Sequence, residues 1–394
     1  MISPAQEQDR LGSIDIVRGL ALFGVLAINL IRGFRVSIFQ QFLGPSGGSA
    51  FDQWIERVLA TAVEMKAFAV FSFLFGVGLA IQYERISCFE PPLRLLVRRL
   101  LVLFVFGVIH LCLIWNGDIL TEYAIAGLLA LPFLFMAPRA MAFGLLLCML
   151  GRIAAALWVW FPSQSWYADH VRQATDVYAT AGYIGYIRYS LTEFRPLLPL
   201  HLLVLPRTVA LFLIGAWASR QGIFRDPRQH RPLLLVMAIG GTTLGFVLQL
   251  GTPWRYLLSG VTLRVAVSVT DAVAEMAVAL GYVAITVCIV EFARGRSLLN
   301  WAAPLGRMAF SNYIGQSLFF GWIFFGYGLG LFGIMSIGRA AVIGLSLYVL
   351  QVLYSRWWLG RFRYGPVEWL WRSLMYGNWQ PMLRPTHTNV PAPT

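Results

Sequence analysis

The sequence predicts an all-α polytopic membrane protein with about ten transmembrane helices and cytoplasmic N- and C-termini. Composition is the first observation: 58% of the 394 residues are hydrophobic and 12% are charged, whereas a soluble domain carries about 25% charged residues. Mean hydropathy is +0.68. The second observation is the recurrence of apolar runs of roughly 20 residues, each able to cross a hydrocarbon core about 30 Å thick. Strand-like alternation is absent, which argues against a membrane barrel.

The expected span cores are 14–31, 60–82, 95–114, 119–137, 140–161, 202–219, 233–251, 268–292, 306–325 and 338–356. The first run holds Asp15 and Arg18 and lacks a small-residue cleavage site, so it reads as a retained helix rather than a signal peptide. Arginine then orients the spans. Arg85, Arg94, Arg98 and Arg99 lie in 83–99, Arg220, Arg225, Arg228 and Arg231 in 220–232, and Arg294 and Arg296 in 293–300. Arg356, Arg361, Arg363, Arg372 and Arg384 follow the last span. All four groups fall on one side when the N-terminus is cytoplasmic, as the positive-inside rule expects. Arg32, Arg35 and Arg57 in the first outer loop run against it, partly offset by Asp52 and Glu56.

These features divide the chain into a first five-helix half with the charged sites (1–161), an outer-surface segment (162–201), a second five-helix half (202–380) and a disordered tail (381–394). The outer segment, WYADHVRQATDVYATAGYIGYIRYSLTEF, is too polar to span and rich in aromatics, and reads as amphipathic helices at headgroup depth. The halves show no repeat, which argues against an inverted-repeat transporter. The compartment expected is the bacterial cytoplasmic (inner) membrane, with lipid as the constant partner and a homodimer left open.

Formal net charge is +13, and Lys66 is the only lysine. Orientation explains most of this charge, so no nucleic-acid partner is expected. A second use is open, because the guanidinium fork matches phosphate. Cys88, Cys112, Cys148 and Cys288 show no metal or redox spacing, and no metal is expected.

Polar residues inside spans must face protein or a water-filled cavity. On the first span, Asp15, Arg18, Leu22, Val25 and Asn29 share one stripe at 100° per residue. Asp15 and Arg18 either form a structural ion pair or line a cavity where Arg18 meets phosphate. Lys66 either snorkels or supplies a compact ammonium to a substrate. At 108–125, VIHLCLIWNGDILTEYAI, Asn116-Gly117 reads as a tight turn that uses positive φ. Asp118 then takes the helix N-cap position, and Glu122 follows one turn later. His110, Asp118 and Glu122 are expected to converge near the outer face, with a carboxylate orienting the histidine as a general base. Asn312 and Gln316, four apart, either glue helices or line a substrate path.

The stretches SIDIVRGLALFGVLAIN, FSFLFGVGLAIQYER, RRLLVLFVFGVIHLCLIWNGDILTEYAIAGLLAL, APLGRMAFSNYIGQS and YGPVEWLWRSLMYG resemble the YeiB-like bacterial membrane proteins over residues 12–380. The C-terminal part of that family is a domain of unknown function. The pattern Asp15-x-x-Arg18-Gly19, followed by Asn29, is also similar to transmembrane acyltransferases such as heparan-alpha-glucosaminide N-acetyltransferase. That resemblance implies acyl-CoA as cytoplasmic co-substrate and a small-molecule, lipid or glycan acceptor opposite. The catalytic histidine of those enzymes precedes the second span, whereas the first histidine here is His110.

The function expected is therefore an integral membrane acyltransferase. Arg18, Arg98 and Arg99, with Asp15 and Asn29, hold the acyl-CoA, while His110 with Asp118 or Glu122 is the base. Lys66, Asn312 and Gln316 contact substrate. A proton-coupled transporter or exporter and a non-catalytic lipid- or quinone-binding protein are the alternatives.

Overall fold

The computed structural model describes residues 12–44, 48–87, 92–134, 136–159, 161–251, 258–292 and 295–384. Cys88, Arg294 and the last ten residues of the expected tail lie outside them. The chain is a multi-pass α-helical membrane protein. Among the described residues eight helical segments are long and apolar enough to span, including Gly12–Phe34, Ala50–Ser87 and Gly260–Glu291. The shorter apolar helix α5 (Leu120–Leu134) and α15 (Ala309–Phe324) fall where two more of the expected spans were placed. β structure among the described residues is limited to one isolated bridge, Phe362 to Leu383.

α1 (Gly12–Asn29) continues as a π turn through Phe34. The expected second span is in fact two helices. A Ser49–Asp52 capping box starts α2 (Ala50–Ala62), and α3 (Lys66–Ser87) follows. Between them Val63–Met65 breaks the run, with Met65 at φ 62. The expected span joined the apolar end of the amphipathic α2 to α3, and apolar composition there does not mark the break. The charges opposing the positive-inside rule are absorbed here: Arg32 pairs with Glu56 at 2.7 Å and Glu64 at 3.5 Å, and Arg35 donates to the Met335 carbonyl at 3.2 Å.

α4 (Pro92–Ile109) ends in a second π turn, His110–Ile114. The Asn116-Gly117 turn uses no positive φ. Gly117 is needed because a Cβ there would lie 2.3 Å from the Trp115 ring. After α6 (Pro138–Trp158), the outer segment forms two helices, α7 (Gln164–Thr180) and α8 (Tyr183–Thr192). α9 (Phe194–Arg220) starts eight residues before the expected span. A bent pair, α10 (Arg231–Val236) and α11 (Thr242–Leu250), leads to α12 (Gly260–Phe292). Short turns α13 (Gly295–Leu299) and α14 (Ala303–Arg307) precede α15, α16 (Ile337–Arg361) and the amphipathic α17 (Pro366–Tyr376).

Lipid tails are as apolar as leucine, so helices here associate by close approach rather than by expulsion of water. α3 and α9 make the most extensive helix contact. A Cβ on Gly76 would sit 2.1 Å from the Phe212 carbonyl oxygen, and one on Gly215 2.1 Å from that of Phe73. α1 meets α14 in the same way through Gly19 and Gly306, and this contact fixes the neighbourhood of Arg18.

The α7–α8 cap is held by a buried carboxylate that sequence reasoning missed. Glu193 takes Nε2 of His170 at 2.8 Å and accepts from Asn116 and from the Tyr178 hydroxyl. Burial and the Glu193 charge hold the Tyr178 phenol well above its usual range. The His170 ring stacks on Trp166 at 4.5 Å. Spacing within 162–201 gave no hint, because Asn116 comes from another hairpin.

Two outcomes are expected. Gly76→Ala overpacks the α3–α9 contact and lowers stability by about 1–3 kcal/mol, read as an earlier thermal transition in detergent. Gly78→Ala, with nothing within 4 Å of its Cβ, leaves the transition in place. Glu193→Ala frees the cap, so hydrogen exchange over 164–192 rises at least about tenfold, the equivalent of about 1.4 kcal/mol. Exchange in α3 and α9 stays unchanged.

Candidate functional site

A cavity of about 370 Å³ opens among α1, α3, α4, α5, α15 and α17. Its polar end is lined by Arg18, Arg85, Arg99, Arg307 and Arg372, and its throat by side chains such as Phe68, Phe71, Ile119, Tyr123 and Tyr313. All five arginines lie at the end of the bundle that the positive-inside rule puts in the cytoplasm. Glu368 is the lining carboxylate, and it is already used: it accepts from the Phe310 and Ser311 amides at 2.8 and 3.0 Å and from the Ser311 hydroxyl. Burial raises its carboxyl above the usual range, while these hydrogen bonds oppose the rise.

Arg99 is the centre of the polar end. Its guanidinium donates to Gln82 Oε1 and lies 4.7 Å from the Trp371 ring and 5.3 Å from that of Phe75. Its Nε is buried without a partner, and among the described residues no carboxylate pairs with it. Arg18 bonds Asp15 at 3.0 Å and the Gly306 carbonyl at 3.2 Å. Of the residues expected to hold acyl-CoA, Arg18 and Arg99 therefore meet in the cavity. Arg98 does not: consecutive helix residues diverge by about 100°, and Arg98 is exposed beside Gly377. Asn29 is buried near the other end of α1, away from the lining. Arg85 and Arg372 were legible only as orienting charges, and Arg307, at the edge of the expected ninth span, was not singled out.

At the opposite end His110 is completely buried. Nε2 is 2.9 Å from Ser317 Oγ, and Nδ1 is 2.9 Å from Asp118 Oδ1 in an oblique approach without a directed hydrogen bond. Asp118 also accepts from the Thr121 amide at 2.7 Å, so it caps α5 as expected. Glu122 does not join them. It turns to α9, accepting from Thr208 Oγ1 at 2.6 Å and facing His201 Nδ1 at 3.2 Å. Asp118 precedes the helix while Glu122 sits inside it, and that separates their directions. The Tyr313 ring, which lines the throat, is 5.1 Å from the His110 ring. His110 thus lies one aromatic ring away from the void and is not part of its wall.

The three residues expected to contact substrate do not line the cavity. Lys66 is buried and directs Nζ to the Ala60 carbonyl at 3.4 Å, at the end of α2. Asn312 donates to Ser355 Oγ at 2.9 Å and Gln316 to Gln351 Oε1 at 2.8 Å, joining α15 to α16. A metal would need a set of ligands that is not gathered among the described residues.

Residues 218–378 match a family model described as "Protein of unknown function (DUF418)". The protein named "Uncharacterized protein YxaH" of Bacillus subtilis (strain 168) is 32% identical, over 98% of this chain and 99% of its own length. "Uncharacterized protein YeiB" of Escherichia coli (strain K12) is 28% identical, over 93% of this chain and 96% of its length. A 39.9 kDa Bacillus acidopullulyticus protein is 26% identical over 97% of this chain and 98% of its length. These names carry no activity, so the chemistry has to be argued from the cavity itself. With near full-length identity to YxaH and the domain match at its C-terminal side, the chain belongs to the YeiB-like, DUF418-containing family of membrane proteins.

Proposed function

We propose that the cavity binds the thioester of a phosphorylated carrier, coenzyme A in type, and that the chain passes its acyl group to an acceptor toward the outer face. Arg99 carries this reading. A half-buried guanidinium beside an amide and two rings, with no carboxylate partner among the described residues and four further arginines around the same cavity, is matched to an anion that arrives with the ligand. Phosphate takes a planar fork in a way that a single ammonium does not.

Spacing supports the thioester over a simple phospholipid. Arg99 and His110 stand eleven residues apart on one helix, about 16 Å along its axis. A ligand that touches both ends therefore needs a long arm between its phosphate and its reactive carbon. The cavity, about 370 Å³, lies low in the range of roughly 300–1,000 Å³ for ligand pockets. It has room for an arm and thioester, with the bulk of the carrier left at the cytoplasmic mouth. His110, faced by Asp118, is then the base for the acceptor, and Tyr313 is the side chain that has to turn to admit the substrate.

A second reading is favoured by the complete burial of His110: a lipid phosphate held by the same arginines, with no reaction. The two share the head site and differ in chemistry. Purified protein is expected to bind long-chain acyl-CoA, and Arg99→Gln to weaken binding by roughly 10–100-fold, about 1.4–2.8 kcal/mol. Arg98→Gln is expected to leave it unchanged. Equal affinity in the Arg99 variant removes the head site from both readings. Binding with no thiol release upon adding acceptor-containing membranes selects the second.

A further inference from the structure

Ser317 was no part of the expected site, and it sits where a nucleophile belongs. It lies on α15, 207 residues from His110 in sequence, yet its Oγ is 2.9 Å from His110 Nε2. On the far side of the imidazole, Asp118 Oδ1 is 2.9 Å from Nδ1. The order hydroxyl, imidazole, carboxylate is the arrangement in which a serine is activated by a base whose orientation a third group fixes. Three different segments supply it: α15, the π turn closing α4, and the hairpin before α5.

Asp118 caps α5 with Oδ2 through the Thr121 amide at 2.7 Å, while its buried Oδ1, without a hydrogen-bond partner, is turned to the ring. The Ser317 hydroxyl is shared between His110 and the Tyr313 carbonyl, to which it donates at 3.3 Å. Ser317 and Asp118 are as buried as His110, so the set is kept dry. The π turn adds to the case, because such one-turn irregularities inside helices cluster at functional sites.

We infer that Ser317, His110 and Asp118 form a nucleophilic triad and that Ser317 is transiently acylated, so that transfer runs in two steps through a serine ester. The inference rests on the thioester reading of the cavity. In the first step Ser317 Oγ bonds to the thioester carbonyl carbon. His110 Nε2 takes the hydroxyl proton, the carbon–sulfur bond breaks, and the proton passes to the departing sulfur. In the second step an acceptor hydroxyl or amine gives its proton to His110 and bonds to the acyl carbon. The serine oxygen leaves and recovers the proton. No oxidant, reductant or metal is consumed. Asp118, beside Nδ1 at 2.9 Å, offsets the ring's positive charge in both steps. Tyr313, whose ring lies tilted against that of His110 and lines the throat, opens the path by rotating away.

The test uses full-length protein in detergent with a long-chain acyl-CoA and no acceptor. Wild type is expected to release close to one equivalent of CoA thiol per chain in a burst. Its intact mass should rise by one acyl group, mapped to the peptide holding Ser317 and stable to neutral hydroxylamine, as an oxygen ester is. Ser317→Ala should retain acyl-CoA binding within about twofold and lose the burst. Ser317→Cys should be acylated at the same position, now as a hydroxylamine-labile thioester. Asp118→Asn should slow the burst at least tenfold while binding persists. Binding without a burst, an acyl group on another residue, or undiminished transfer by Ser317→Ala overturns the triad and leaves the head site standing. Failure of wild type to bind acyl-CoA overturns the thioester reading, and the acyl-serine with it.

Discussion

Arg99, half-buried at the arginine-rich end of the bundle, has no carboxylate partner among the described residues. That imbalance is the constraint from which the functional architecture follows. A charged side chain at membrane depth is tolerated only when it faces protein partners or water. Here the partners are an amide and two aromatic faces, each worth about a kilocalorie or two at most. The chain has carboxylates to spare nearby and uses them elsewhere: Asp15 on Arg18, Glu84 on Arg225, Glu368 on the start of α15. With Arg99 left without a carboxylate, the proposed anionic ligand has a cation to meet.

Other features keep this end intact. Gly19 and Gly306 bring the backbones of α1 and α14 together, which sets Arg18 and Arg307 on adjoining walls. α17 lies across the mouth with Trp371 against Arg99, its indole donating to the Arg99 carbonyl at 3.1 Å. Glu368 nails the start of α17 to the start of α15 by three hydrogen bonds. The glycines act through steric permission and the carboxylate through directed bonds. Both place arginines from distant parts of the chain around one void.

The fold was largely legible because lipid enforces a simple code: long apolar runs span, and arginine-rich loops stay inside. What escaped was local. The Val63–Met65 break and the early start of α9 fall within apolar sequence that stays helical in composition. Arg18 stood out as a charge inside a span and Arg99 as one of a pair at the start of another, although the same reasoning chose Arg98, which faces outward. Arg85 and Arg372 were hidden by a competing explanation, since orientation already accounted for them, and Arg307 carried no signal beyond its place at a span end. Glu122 misled through its spacing, which shares a helix face with Asp118 only if both residues are in the helix. Ser317 was invisible for a different reason. A serine beside Gln316 in a greasy helix has no local signal, and the contact that gives it meaning spans 207 residues.

The two polar centres stand at opposite ends of the same helices. α4 carries Arg99 near its start and His110 near its end, and the throat between them is aromatic and aliphatic. A transporter would need both ends to open alternately to one central site, and such sites are commonly built from inverted repeats. The polar centres here differ in chemistry: five arginines line the cavity at one end, and a histidine stands against a serine hydroxyl and a carboxylate at the other. Fixed, unlike centres separated by a dry throat suit a molecule that lies between them, held by its charge at one end and reacting at the other. On the proposed transfer through Ser317, the burial of the His110 end has a consequence. An activated ester in contact with bulk water would hydrolyse, whereas one formed behind the Tyr313 ring would persist until an acceptor replaced it.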